Sequence, residues 1–204
     1  MPKRPPRRRT QRERSDATVA ALVEAARLRF AADGFTGTAI DDILRDIGIT
    51  RGALYHHFAS KAELFRAVFE EQERRLTAAV VAGAEAAATR SAWPAFRAGC
   101  EAFLDACLDP STQRIVLIDG PAVLGWEVVR EIEERYVVAL LRDGLARAIE
   151  AGALARRPIE PLADILIGAL TECARSIARA PQPQIAAREA RRELDRLLRA
   201  LAKD

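Results

Sequence analysis

GITRGALYHHFASKAELF, residues 48–65, sets a glycine, an arginine, a tyrosine, two adjacent histidines and a lysine around a thin apolar skeleton. Gly48 permits a tight turn and Thr50 is a good N-cap, so RGALYHHF reads as barely two turns of helix with Leu54 and Phe58 directed inward. Ser60 caps a further segment with Glu63 at its third position, and Leu64, Phe65, Val68 and Phe69 line one face of a helix that runs to about Ala88. Upstream, Thr38 is placed to cap a short helix, with Asp41 completing an approximate capping box, and Ile40, Ile43, Leu44 and Ile47 recur on one side. Two short helices joined by a three- or four-residue glycine turn form a helix-turn-helix pattern.

The polar residues of this stretch admit a metal-binding, a catalytic or a DNA-binding reading. His56 and His57 are the only histidines in the chain. Being adjacent in a helix, they diverge by about a third of a turn and lack a chelating spacing. No serine or cysteine lies in a nucleophile motif, and the sequence calls for no cofactor. A helix entering a DNA major groove, by contrast, needs small residues where its backbone nears the bases, donors at its margins and one or two side chains aimed at base edges. Gly52 and Ala53 supply the closeness, and the Ala53 methyl can meet a thymine methyl. Arg51 can reach a guanine edge or a phosphate, while Tyr55 and His57 offer donors. Lys61 opens the next helix beside its free amides, and Thr38 and Thr50 stand at two further helix starts. The plain alternative, that these residues only cover a small core, is accepted for Leu54 and Phe58 and half accepted for Tyr55, whose ring can be buried under an exposed hydroxyl.

The charge distribution supports a polyanionic partner. The 204 residues carry a net charge of +3, with 12 basic and 8 acidic side chains through Phe65 and 20 against 21 beyond it. A basic end on a nearly neutral body suits nucleic acid or an anionic membrane surface. Residues 1–15, rich in proline and arginine and without apolar periodicity, read as a mobile arm able to neutralise phosphates or enter a minor groove. Order is expected from Ser15 or Asp16, where Val19, Leu22, Val23, Ala26 and Phe30 fall at helical spacing up to a stop at Gly34, with Phe35 packing back. No apolar run is long enough for a bilayer span, and no secretory signal follows the basic start, which makes the cytoplasm the default compartment.

At this point the stretch F-T-G-T-x-I-x-D-I, followed by G-I-T-R-G-A-L-Y-H-H-F-x-S-K-A-E-L, resembles the DNA-binding domain of the TetR family of transcriptional regulators over residues 16–66. The resemblance implies an all-α homodimeric repressor with a C-terminal domain, here residues 67–204, that binds a small effector and lowers operator affinity. It also implies phosphate and base contacts at Thr38, Thr50, Arg51, Gly52, Ala53, Tyr55, His56, His57 and Lys61. One departure is Leu44, after Ile43, where the family often has a small alanine and where the bulk bears on how the two helices cross.

Beyond residue 66, breakers near 91–96, 108–112, 119–125, 156–161 and 180–184 divide a helix-forming composition without alternating strand patterns, giving about nine helices in all. RIVLIDGPAVLGWEVVREIEERY resembles a C-terminal segment of the same family but names no ligand. Phe96, Cys100, Phe103 and Cys107 share a helix face that is core or pocket wall, core being the commoner explanation. Arg114, Asp119, Trp126, Glu172 and Arg175 are polar or amphipathic residues inside apolar helices and complete the candidate ligand set. Cys100, Cys107 and Cys173 are odd in number and form no CxxC pair, so buried free thiols are expected. The last two helices carry Leu162, Ile165, Leu166, Ala169, Leu170, Cys173 and Ile177, then Leu194, Leu197, Leu198 and Leu201, a pattern suited to a four-helix homodimer interface. An enzyme using Asp119, Glu172 or the cysteines lacks catalytic spacing, and a membrane-surface binder lacks the bulky apolar anchor its basic arm needs.

Overall fold

The computed structural model describes residues 10–87 and 91–202. Most of the proposed arm, residues 1–9, therefore lies outside the described residues. The helices are α1 (Gln11–Gly37), α2 (Ile40–Ile47), α3 (Arg51–His57), α4 (Lys61–Ala87), α5 (Ala92–Ala106), α6 (Pro110–Thr112), α7 (Gly120–Leu124), α8 (Trp126–Arg135), α9 (Val137–Glu150), α10 (Ile159–Arg179) and α11 (Pro183–Leu201). A π-helical stretch, Gln113–Asp119, joins α6 to α7 without a break, so the described residues make ten rods, against about nine expected. The fold is all-α; the described residues contain no strand beyond an isolated bridge between Leu154 and Ala202.

α1 starts earlier than its apolar stripe suggests. Thr10 caps it through a reciprocal box in which the Glu13 amide donates to Thr10 Oγ1 at 3.2 Å and the Thr10 amide donates to Glu13 Oε2 at 2.7 Å. The T-x-x-E signal sits among arginines, so periodicity alone places the start several residues late. Gly34 takes φ +71°, open to glycine and strained for any residue with a Cβ, and turns the chain so that Phe35 folds back. The rings of Phe30 and Phe35 meet that of Phe65 at centroid distances of 5.2 Å each, and this cluster roots α1 and α4 in one small core with Leu22, Ile43, Leu54 and Leu64.

α4 continues from this core into the C-terminal body, where it packs along α5 with almost no space between the backbones. A Cβ on Gly83 would lie 2.5 Å from that of Ala102, and one on Gly99 would lie 3.4 Å from Val80 Cγ1. α10 packs on α9 and α11 to complete the body.

Candidate nucleic-acid interface and ligand cavity

The turn between α2 and α3 follows from its sequence. Gly48 sits in the left-handed region at φ 67° and ψ 32°, and Thr50 Oγ1 accepts from the Ala53 amide at 3.3 Å to cap α3. Leu54 and Phe58 are buried beneath α3, while Arg51, Gly52, Tyr55 and His56 are exposed and Ala53 and His57 half-exposed. Tyr55 is 46% exposed, more open than a tyrosine that merely covers a core. Leu44 fits inside the core, and its carbonyl accepts from the Ile49 amide at 3.2 Å.

Thr38 is a correction. It does not cap α2, whose N-cap is Ala39, and it is 3% exposed with Oγ1 donating to the Gly34 carbonyl at 2.8 Å. Its hydroxyl therefore closes the α1 turn and is not turned toward a phosphate. Asp41, expected in a capping box with Thr38, instead accepts both of its hydrogen bonds from Arg51 Nη2 at 2.6 Å. The two histidine rings do not diverge as adjacency suggests; they meet edge to face with centroids 5.0 Å apart. No third donor joins them, and no cluster of three potential metal ligands occurs among the described residues.

The exposed face is electrostatically mixed. The Arg51 guanidinium holds the Asp41 carboxyl below its ordinary range, and Arg29 does the same to Asp46 across the α1–α2 contact. Both pairs are at the surface, where solvent screens them and their net stabilisation is small. Arg51 is thus available to a phosphate that displaces Asp41. Lys61 lies with Nζ 4.5 Å from the Phe35 ring centroid, which fixes its direction, and burial lowers its pKa.

In the C-terminal body a cavity of about 520 Å³ opens between α4, α5 and α9. Phe96, Cys100 and Phe103, which are also part of the buried core, line it, joined by Val80, Ala84 and Leu141, among others. The α4 wall adds Glu85 and the α9 wall Asp143 and Arg147, which the sequence reading did not single out; the sequence hint was Gly144, whose missing side chain leaves room for the Phe96 ring. Cys107 belongs to the core and not to the cavity wall, and Cys173 is only half-buried. Burial pushes the Cys100 thiol up to about 12 and raises that of Cys107, so both stay protonated and unreactive at neutral pH.

The other ligand candidates are placed elsewhere. Arg114 and Asp119 form a clasp between the two parts of the chain. Asp119 Oδ2 accepts from Arg114 Nε at 3.1 Å and from the Phe35 amide at 2.7 Å, and the guanidinium fills the space a Cβ on Gly34 would need. Wider π-helical winding brings residues five apart together, which an α-helical reading of RIVLID does not anticipate. Glu172 faces solvent, paired with Arg179 at 2.8 Å and Arg175 at 3.6 Å. Trp126 is 57% exposed beneath the Arg175 guanidinium, and both border a small recess beside the main cavity. Missed altogether by the sequence reading were Glu73 and Glu133, two buried acidic residues in that recess. The available signal was Glu73 itself, an acidic residue interrupting the stripe Phe65, Phe69, Leu76.

A helix-turn-helix unit with an exposed second helix, fused to a helical body enclosing an apolar cavity, is the architecture of a DNA-binding transcriptional regulator with a ligand-binding domain. Comparison with known proteins gives the family. Residues 22–68 match the family model for bacterial regulatory proteins of the tetR family, and residues 93–201 match the tetracyclin repressor-like C-terminal domain. A TetR-family transcriptional regulator from Pectobacterium atrosepticum superposes with TM-score 0.81 at 32% identity, covering 96% of this chain and 99% of that one. The Transposon Tn10 TetC protein of Escherichia coli is 25% identical over 158 residues, 78% of this chain and 79% of that protein. The HTH-type transcriptional regulator CymR of Pseudomonas putida is 40% identical over 72 residues, 35% of this chain and 36% of its own. The chain belongs to the TetR family of transcriptional regulators. No described helix is long and apolar enough to cross a membrane.

Proposed function

We propose that the protein is a homodimeric repressor that holds a palindromic operator through two copies of α3 and releases it when a small molecule enters the 520 Å³ cavity. The observation that carries this reading is the division of α3 into a buried edge, Leu54 and Phe58, and an outward edge, Arg51, Gly52, Tyr55 and His56. Thr50, Ala53, His57 and Lys61 flank that edge and complete the contact set, from which Thr38 drops out. The DNA-binding unit spans residues 10–66, six residues longer at its start than the apolar stripe indicates, and residues 67–204 carry ligand binding and dimerisation.

Dimerisation through α10 and α11 is supported by what the protomer leaves uncovered. Leu166, Leu170, Ile177, Leu194 and Leu198 are spent on the protomer's own core, which narrows the sequence-based set. Ile165, at 66% exposure, remains open with Leu197 and Gly168. Two such faces related by a two-fold axis bring the α3 helices to successive major grooves, about 34–36 Å apart on DNA. The protein acts as a regulator, not an enzyme, in this reading: the thiols are protonated, and Asp119 and Glu172 are held in ion pairs outside the cavity.

The test is selection of bound duplexes from a random pool at two salt concentrations, with the mass of the free protein measured in parallel. Enrichment of an inverted repeat, steep salt dependence and a dimer mass are expected. A pool that stays random at moderate salt, or a strictly monomeric protein, overturns the proposal.

A further inference from the structure

The recess beside the main cavity has features an apolar pocket does not need. It shares Phe103 and Val137 with the cavity and is lined on its far side by Glu73, Glu133, Trp126 and Arg175. Glu73 is 1% exposed, and its Oε2 has no hydrogen-bond partner. Glu133 is 9% exposed and faces it from α8. An orphaned buried acceptor costs free energy that a partnered one does not, which marks Glu73 as a place where a partner would stabilise the structure. The recess has a free volume of about 10 Å³, the space of one water-sized group.

The surrounding charges are unequal. Glu73, from α4, faces Glu133 and the thiol of Cys107 at the end of α5. Glu133 faces Arg130 and Glu134 from its own helix and Arg175 from α10. Arg130 is already paired with Glu134 at 2.7 Å and Asp164 at 2.8 Å, and Arg175 with Glu172. Of the two recess carboxyls, Glu133 has the guanidiniums within reach and Glu73 has none. Arg175 supplies the far side of the recess with positive charge, so what is missing is a small donor within reach of Glu73.

We propose, building on the effector reading of the main cavity, that the ligand is an amphiphilic primary amine: its ammonium head seats between Glu73 and Glu133, and its apolar body lies past Phe103 in the cavity. An ammonium brings three donors, enough for Glu73 Oε2 and a bond to Glu133. A quaternary head is too large for the recess, and a carboxylate would set another acidic group against Glu133 and bring no N–H donor. Desolvation and the neighbouring Glu133 push the Glu73 carboxyl up to about 8, so in the empty protein at neutral pH it holds a proton. Seating the ammonium leaves Glu73 ionised and releases that proton to solvent.

The test is calorimetric titration of the full-length protein with 4-phenylbutylammonium, 4-phenylbutanol, 4-phenylbutanoate and 4-phenylbutyltrimethylammonium, which share one body and differ in the head. The primary amine is expected to bind about tenfold tighter than the other three, as a charge-assisted hydrogen bond would give. Its binding should release about one proton near pH 7, read from two buffers of different ionisation enthalpy. Glu73→Gln should remove both the amine's preference over the alcohol and the proton release, and Glu133→Gln should weaken the amine more than the alcohol. An alcohol or carboxylate that binds as tightly as the amine, an unaffected Glu73→Gln variant, or no binding by any of the four overturns the proposal. Operator binding is measured on the same samples. Its absence counts against the repressor reading, whereas absent head-group preference counts only against the amine.

Discussion

Replacing Glu73 by Gln should stabilise the protein, and by an amount that grows with pH. The carboxyl is 1% exposed, lacks a partner at Oε2, and is raised by burial and by Glu133 from 4.5 to about 8. A raised carboxyl means that the native state keeps its proton where the unfolded chain has lost it. The contribution of this group to stability is therefore complete below about pH 4.5 and is lost as the pH climbs toward 8. Each pH unit inside that window costs about 1.4 kcal/mol, and the whole window roughly 4–5 kcal/mol. Glutamine has the same shape and never ionises, so the variant escapes this loss. Urea unfolding of both proteins at pH 5, 6, 7 and 8, at one protein concentration so that any subunit association is held constant, reads the difference directly. The variant should be close to the parent at pH 5 and several kcal/mol more stable at pH 8. A difference that is flat with pH, or that shrinks as pH rises, refutes the placement of Glu73 as an unpaired buried acid.

Lys61→Ala should lower operator affinity and reduce the steepness of its dependence on salt by about one counterion, while Tyr55→Ala should lower affinity with the salt slope unchanged; filter binding across a salt series separates the two. Asp119→Ala removes the acceptor shared by Arg114 and the Phe35 amide and should cost about 1–2 kcal/mol in urea unfolding, with amide exchange at Phe35 accelerated. Ile165→Glu combined with Leu197→Glu should leave the circular dichroism unchanged and give a monomer in sedimentation equilibrium, since both side chains are exposed on the protomer.

The parts of the molecule legible in the sequence are those whose rules are local. Gly48, Thr50 and Ser60 act on neighbours within four residues, and each has its expected turn or cap; so does the inward pair Leu54 and Phe58. Thr38 failed because two local bonds competed for it. Its hydroxyl can cap the helix ahead or close the turn behind, and the kink at Gly34 puts a carbonyl that already accepts the Thr38 amide 2.8 Å from the hydroxyl. The ligand set divided along the same line. Phe96, Cys100 and Phe103 follow helical periodicity and share a wall, whereas Arg114 and Asp119 depend on a π-helical winding and on Phe35, 84 residues upstream of Asp119. Glu172 looked inward only because its neighbours are apolar; it lies two residues from buried Leu170 and from buried Ala174, on the opposite face of α10.

The geometry of α4 explains why cavity and DNA-facing surface are mechanically one object. Its 27 residues span roughly 40 Å as a single rod that bears Lys61 at one end and Val80 and Ala84 on the cavity wall toward the other, with Glu73 between them. A ligand that presses on Val80 and Ala84 cannot be accommodated by sliding α4 along α5, because Gly83 against Ala102 and Gly99 against Val80 leave no slack. Under the repressor reading proposed above, the displacement would be passed on as a tilt of the whole rod. At its first turn that tilt moves Lys61 and, through Phe65, the Phe30 and Phe35 rings that root α1. Opposing it is the clasp at Asp119, which holds the Phe35 amide from the side of the π-helix. Under that reading, the strength of the clasp weighed against the push at the cavity wall would set how much of a ligand's binding energy reaches α3. A weakened clasp should therefore alter the ligand's effect on operator affinity even though Asp119 touches neither the cavity nor the exposed edge of α3.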